Sequence, residues 1–101
     1  MQFLVTGYDG NDDQALERRL RAREQHIALG DDMVKAGTMH YGVAILTEDG
    51  QMIGSTVVVD FPSRDELDAW LKVEPYVTGE VWKTIEIQPC RVGPSFIGLH
   101  H

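Results

Sequence analysis

The chain has 101 residues, 43% of them hydrophobic and 25% charged, which suits one globular domain and excludes an intrinsically disordered chain. Nine basic side chains against sixteen acidic ones leave a formal charge of −7, the wrong sign for gripping nucleic acid or an anionic lipid surface. A single cysteine, Cys90, excludes an intramolecular disulfide, no run reaches the ~18 apolar residues of a membrane span, and Met1-Gln2-Phe3-Leu4-Val5 lacks the basic region of a signal peptide, so a cytoplasmic location is expected.

The first element is a strand over Phe3-Leu4-Val5-Thr6-Gly7-Tyr8, rich in aromatic and β-branched residues. Turn chemistry at Asp9-Gly10-Asn11-Asp12-Asp13 leads into a helix, with Asn11 and Gln14 spaced as a capping pair. Residues 13 to 35 carry helical periodicity, with Leu16, Leu20, Ile27 and Val34 on one narrow arc that reads as the apolar face. Lys35-Ala36-Gly37 closes the helix with a late cation and a glycine.

Residues 40 to 47 form a second strand, in which Tyr41, Val43 and Ile45 alternate with His40, Gly42, Ala44 and Leu46. Glu48-Asp49-Gly50-Gln51 is a hairpin turn into a third strand, Met52 to Phe61. That strand has Ile53, Val57, Val59 and Phe61 on one face and the small, partly apolar Met52, Gly54, Thr56 and Val58 on the other. Both faces look protected, and in a chain this short a second copy is the natural cover for the outer one. Ser63-Arg64-Asp65-Glu66 matches the S-x-x-E capping box, and Leu67, Trp70 and Leu71 continue a helix that Pro75 stops, leaving a loop or short turn to Gly79. Val81 to Val92 is the last strand, with Ile85 and Ile87 inward, and Pro89 implies an edge or the end of regular pairing. The order βαββαβ is the ferredoxin-like α+β arrangement, an antiparallel sheet with two helices on one face. The domain is expected over 1–95, with 96–101 a tail whose closing His100 and His101 are native or tag-derived.

Chemistry concentrates on the first helix, where Arg19, Arg23 and His26 are spaced i, i+4, i+7 along one stripe. A histidine beside cations tends to stay neutral and can serve as a general base, while arginines can hold a carboxylate or enolate oxygen. The plainer reading is a solvated charged flank. Glu74-Pro75-Tyr76 is a second candidate, because a proline can fix the turn that aims a carboxylate and a phenol inward; otherwise it merely ends the helix. His40 is either a third polar group of a cleft or a surface residue. Ser55 has no nucleophile elbow around it and reads as sheet packing, as does Cys90. Metal-ligand spacings, phosphate loops and dinucleotide fingerprints are absent, so neither metal nor cofactor is expected.

Taken in order, Arg19-x-x-x-Arg23-x-x-His26, Ala36-Gly37, Gly54-Ser55, Phe61, Ala69-Trp70 and Glu74-Pro75-Tyr76 resemble the YciI-like (YCII-related) family over roughly residues 1 to 92. The resemblance implies a ferredoxin-like fold that pairs through its sheets, as in the dimeric α+β barrel superfamily. In that family a helix-one histidine and the aspartate of a D-P-Y motif are regarded as a catalytic pair. His26 matches the first, whereas the second position holds Glu74, one methylene longer. One related activity, removal of chloride from a chlorinated hydroxyquinol, implies that the scaffold supports proton transfer and elimination.

Two functional expectations follow. In one, the chain is a cofactor-independent enzyme acting on an anionic or phenolic metabolite, with His26 as acid/base, Glu74 orienting it, and Arg19, Arg23, Tyr76 and His40 binding substrate. In the other, it is a non-catalytic homodimeric module binding a small molecule or a protein.

Overall fold

The computed structural model describes residues 1–96, so the expected tail beyond Phe96, including His100 and His101, lies outside the described residues. The strands are β1 (Gln2–Asp9), β2 (Met39–Leu46), β3 (Met52–Asp60) and β4 (Trp82–Cys90), and the helices are α1 (Ala15–Ala36), α2 (Arg64–Leu71) and the single turn α3 (Pro75–Thr78). A 3-10 turn at Pro94–Phe96 follows. All pairings are antiparallel and the sheet order is β2-β3-β1-β4, the ferredoxin-like topology expected from the element order.

Strand alternation sorts the sheet into two faces. Phe3, Val5 and Gly7 pair with Val59, Val57 and Ser55 on one side and with Pro89, Ile87 and Ile85 on the other, and this face meets the helices. Phe3, Val5, Val57 and Val59 are buried there with Leu67 and Trp70 of α2 and with Met33 of α1. The opposite face carries Leu4, Thr6, Thr56, Val58, Tyr41, Val43 and Glu86, and in the single chain Tyr41 and Val43 remain exposed. Pro89 costs the sheet little because β4 is an edge strand.

The helix boundaries have local causes. Ser63 accepts the Glu66 N–H at 3.3 Å, the cap that the S-x-x-E pattern predicts. Gly37 takes the left-handed conformation, φ 79°, and its N–H reaches back to Val34, closing α1 as expected. At the other end the Asn11–Gln14 pair does not form. Asp12 does the work instead: its carboxylate accepts the Gln14 N–H and grips Arg18, and α1 begins at Ala15.

The larger correction concerns which side of α1 faces the sheet. Leu16, Leu20, Ile27 and Val34 do lie on one arc, yet that arc is solvent-facing, with Leu20 54% exposed. The inward row is Arg19, Ala22, His26, Leu29 and Met33, about a third of a turn round the helix. Burying Arg19 and His26 is affordable because carboxylates and a hydroxyl from other elements receive them, a compensation that helical periodicity does not display.

Candidate active site

The site begins with the Glu74-Pro75-Tyr76 segment. Pro75 stands at the first position of α3, where its missing N–H costs nothing, and Glu74 is the N-cap, its Oε1 accepting the Tyr76 N–H at 3.1 Å. The Glu74 N–H is itself tied to the Trp70 carbonyl at 2.9 Å, which anchors the turn to the end of α2. The proline therefore does more than terminate a helix: it fixes a capping turn that points both flanking side chains at α1. Glu74 is 1% exposed and Tyr76 is buried.

On α1, His26 meets that turn twice. Its Nδ1 is hydrogen-bonded to Glu74 Oε1, and its ring stacks on Tyr76 with centroids 3.8 Å apart and planes 10° from parallel. A carboxylate can only accept, so the contact assigns the imidazole proton to Nδ1 and leaves Nε2 as the basic nitrogen. The His26 side chain keeps 18% of its exposure, whereas its carboxylate partner is sealed. Trp82, the first residue of β4, sits edge-on to both rings, 6.2 Å from His26 and 5.7 Å from Tyr76. Its indole occupies the space above Gly7, where an added Cβ would stand only 2.3 Å from Trp82 Cγ and Cδ2.

Arg19, one turn-pair before His26, is 3% exposed. One guanidinium nitrogen donates to both Asp9 oxygens at 3.0 and 3.1 Å, the other to Ser55 Oγ at 2.7 Å, and the guanidinium carbon lies 4.8 Å from the Tyr76 ring centre. Burial raises the Asp9 carboxyl pKa above its ordinary value, and the charge and hydrogen bonds of Arg19 offset part of that rise. The Tyr76 phenol is also raised, chiefly by burial, with Arg19 and Arg23 opposing and Asp9 and Glu74 reinforcing.

Of the residues singled out in the sequence, Arg19, His26, Glu74 and Tyr76 converge. Arg23 is exposed and reaches this group through its charge alone. His40 stands elsewhere: its Nε2 is 2.8 Å from Asp60, which pairs with Gln2 at the far end of β1. The site abuts Asp9 and Trp82 at the near end, roughly 23 Å away along the strand at about 3.3 Å per residue. Asp9, Ser55 and Trp82 are the members that sequence reasoning missed. The one available signal was Gly7 opposite a late aromatic strand; the Asp9 contact bridges two elements and has no spacing signature.

Among the described residues no cluster of three or more His, Cys, Asp or Glu is arranged to hold a metal ion. A hollow of about 290 Å³ lined by Leu4, Thr6, Glu86, Ile87 and Gln88 opens between β1 and β4 on the outer face, away from His26.

Comparison with known proteins places the family and the fold. A family model described as a YCII-related domain matches residues 1–91. The protein YciI of Escherichia coli O6:H1 (strain CFT073) is 31% identical over 98 residues, covering 88% of this chain and 95% of the relative, and the protein YciI of Shigella flexneri matches equally. Among solved structures, 5-chloro-2-hydroxyhydroquinone dehydrochlorinase (TftG) from Burkholderia phenoliruptrix AC1100, in complex with 2,5-dihydroxybenzoquinone, superimposes with a TM-score of 0.78 at 20% identity. The match covers 94% of this chain and 98% of that one, which establishes the shared α+β fold.

Proposed function

This chain belongs to the YCII-related domain family, and from that premise we propose that it is a cofactor-independent enzyme whose His26–Glu74 pair moves a proton on a small phenolic or anionic metabolite. The observation that carries the reading is the buried carboxylate bonded to Nδ1 of a half-buried imidazole, with that imidazole face-stacked on an aromatic ring. Such an arrangement fixes the tautomer, aims Nε2 and steadies the imidazolium that forms when Nε2 takes a proton. In an isomerisation that proton would return to a carbon of the substrate. In an elimination it would pass to solvent as the leaving group departs as an anion. The dehydrochlorinase of the same fold makes a chlorinated hydroquinone a rational first probe.

The test is turnover of 5-chloro-2-hydroxyhydroquinone and a panel of phenols and lactones, read by chloride release and product mass. His26→Ala, shown to be folded by circular dichroism, is expected to lose about 10²–10⁴-fold in rate. A folded His26→Ala with undiminished turnover would falsify the acid/base assignment.

One observation favours a second reading, a binding module without chemistry. Glu74 Oε1 also caps α3 through the Tyr76 N–H, so the carboxylate has structural work independent of any reaction. Saturable binding of 2,5-dihydroxybenzoquinone, with every panel compound recovered unchanged, would support it.

The proposal includes a homodimer formed through the outer face of the sheet, where Tyr41 and Val43 are 55% and 47% exposed beside Leu4 and Val58. Val43→Arg is expected to shift sedimentation to a single chain. Nucleic acid is not among the proposed partners, given the charge of −7. No helix among the described residues is long and apolar enough to cross a membrane, and a cytoplasmic place remains part of the proposal.

A further inference from the structure

Arg19 has the residue type of an anion binder, but its geometry points to another role. Both terminal nitrogens are committed inside the protein, one to the two oxygens of Asp9 and the other to Ser55, while Nε is buried without a hydrogen-bond partner among the described residues and the side chain is 3% exposed. A guanidinium so enclosed presents almost no surface to a substrate carboxylate. What it does offer is a fixed cation 4.8 Å from the centre of the Tyr76 ring. That ring stacks on His26, and the Tyr76 backbone N–H donates to the same Glu74 oxygen that receives His26 Nδ1. The contacts form a continuous path: Ser55 and Asp9 hold Arg19, Arg19 holds the Tyr76 ring, and Tyr76 and Glu74 together hold the imidazole.

We propose that Arg19, clamped by Asp9 and Ser55, is a positioning residue that sets the plane of the His26 imidazole through the Tyr76 ring, and that it does not bind substrate. Two strands supply the clamp on this α1 residue, since Asp9 ends β1 and Ser55 lies in β3. A side chain held by both strands has lost its rotamer freedom, so its contact with Tyr76 is reproducible in a way that a solvated arginine's is not. The functional weight of this arrangement rests on the acid/base reading of His26, but the positioning itself is a property of the protein without substrate.

It is therefore tested on the free protein by nuclear magnetic resonance, apart from any assay of turnover. The readouts are the ring-current displacement of the His26 Cδ2 and Cε1 protons, which reports the stack on Tyr76, and the long-range imidazole nitrogen pattern, which reports the tautomer. Asp9→Asn combined with Arg19→Met removes both charges without leaving either buried alone. The expected result is loss of most of the ring-current displacement, with a mixture of tautomers, while the amide signals of β1, β3 and β4 stay in place. Arg19→Lys keeps the charge but not the fork, and it should restore the displacement only in part. Unchanged His26 signals in the folded double variant would overturn the proposal. Should that variant not fold, Arg19→Lys and Ser55→Ala, which both retain the ion pair, decide instead: a reduced displacement in either supports the clamp, and none in both overturns it. A protein that turns over no substrate would sink the acid/base reading and leave these signals as they are.

Discussion

His26 of α1 and Glu74 at the head of α3 are 48 positions apart in sequence, yet Nδ1 of one is hydrogen-bonded to Oε1 of the other. The Glu74 side chain reaches both the imidazole and the Tyr76 N–H. Shortening it to Asp should draw the oxygens back by about 1.5 Å, one C–C bond. If the pair is catalytic, Glu74→Asp is expected to lower kcat by up to about a hundredfold with little change in KM. Steady-state kinetics on whichever panel compound is turned over would check this, and an unaltered kcat would show that the exact reach is unimportant.

The buried pair of Asp9 and Arg19 predicts asymmetric stability effects. Asp9→Ala strands the guanidinium and should cost about 3–5 kcal/mol. Asp9→Asn with Arg19→Met, which removes both charges, should cost much less. Chemical denaturation of the single and double variants measures the coupling, and equal losses in both would contradict the assignment of Asp9 as the counter-ion.

Gly7 faces the Trp82 ring at a distance that leaves no room for a methyl group. Gly7→Ala is therefore expected to destabilise the protein by about 1–3 kcal/mol through overpacking. It should also move Trp82 away from His26, which tryptophan fluorescence would report as a change in emission. A thermal midpoint equal to that of the parent would argue that the ring has another place to go.

The rotation of α1 gives a sharp contrast between residues on one helix. Leu20 is more than half exposed, so Leu20→Ala should change stability by no more than about 0.5 kcal/mol. Met33 is buried in the core, and Met33→Ala should cost about 2–5 kcal/mol. Reversed magnitudes in urea titrations would place the apolar arc inward after all.

Acid sensitivity should come partly from the far end of the sheet. The Asp60 carboxyl lies below its ordinary pKa, first because of its hydrogen bond with His40 and further because the terminal amine and Gln2 also approach it. A carboxyl depressed by folding stabilises the native state above its unfolded pKa, and that contribution fades as pH falls through the folded value. Asp60→Asn is thus expected to flatten the stability profile below about pH 4, where an ordinary aspartate titrates. Denaturation midpoints measured from pH 2 to 7 check the sign.

Local patterns carried the architecture. Strand alternation in Phe3–Tyr8 and Met52–Phe61, the capping box at Ser63, the closing Gly37 and the stop at Pro75 each act over a few residues, and the elements appear where those patterns place them. The turn at Glu74-Pro75-Tyr76 was likewise legible, because an acid before proline acts on the backbone locally. Which face of α1 turns inward was not, since Leu16, Leu20, Ile27 and Val34 make the better apolar arc. Only partners from distant strands, Asp9 and Ser55 for Arg19 and Glu74 for His26, make burial of the polar row favourable. Periodicity measures the hydrophobicity of one segment against water; tertiary structure decides what that segment meets instead, and a satisfied charge is invisible until its partner is in place.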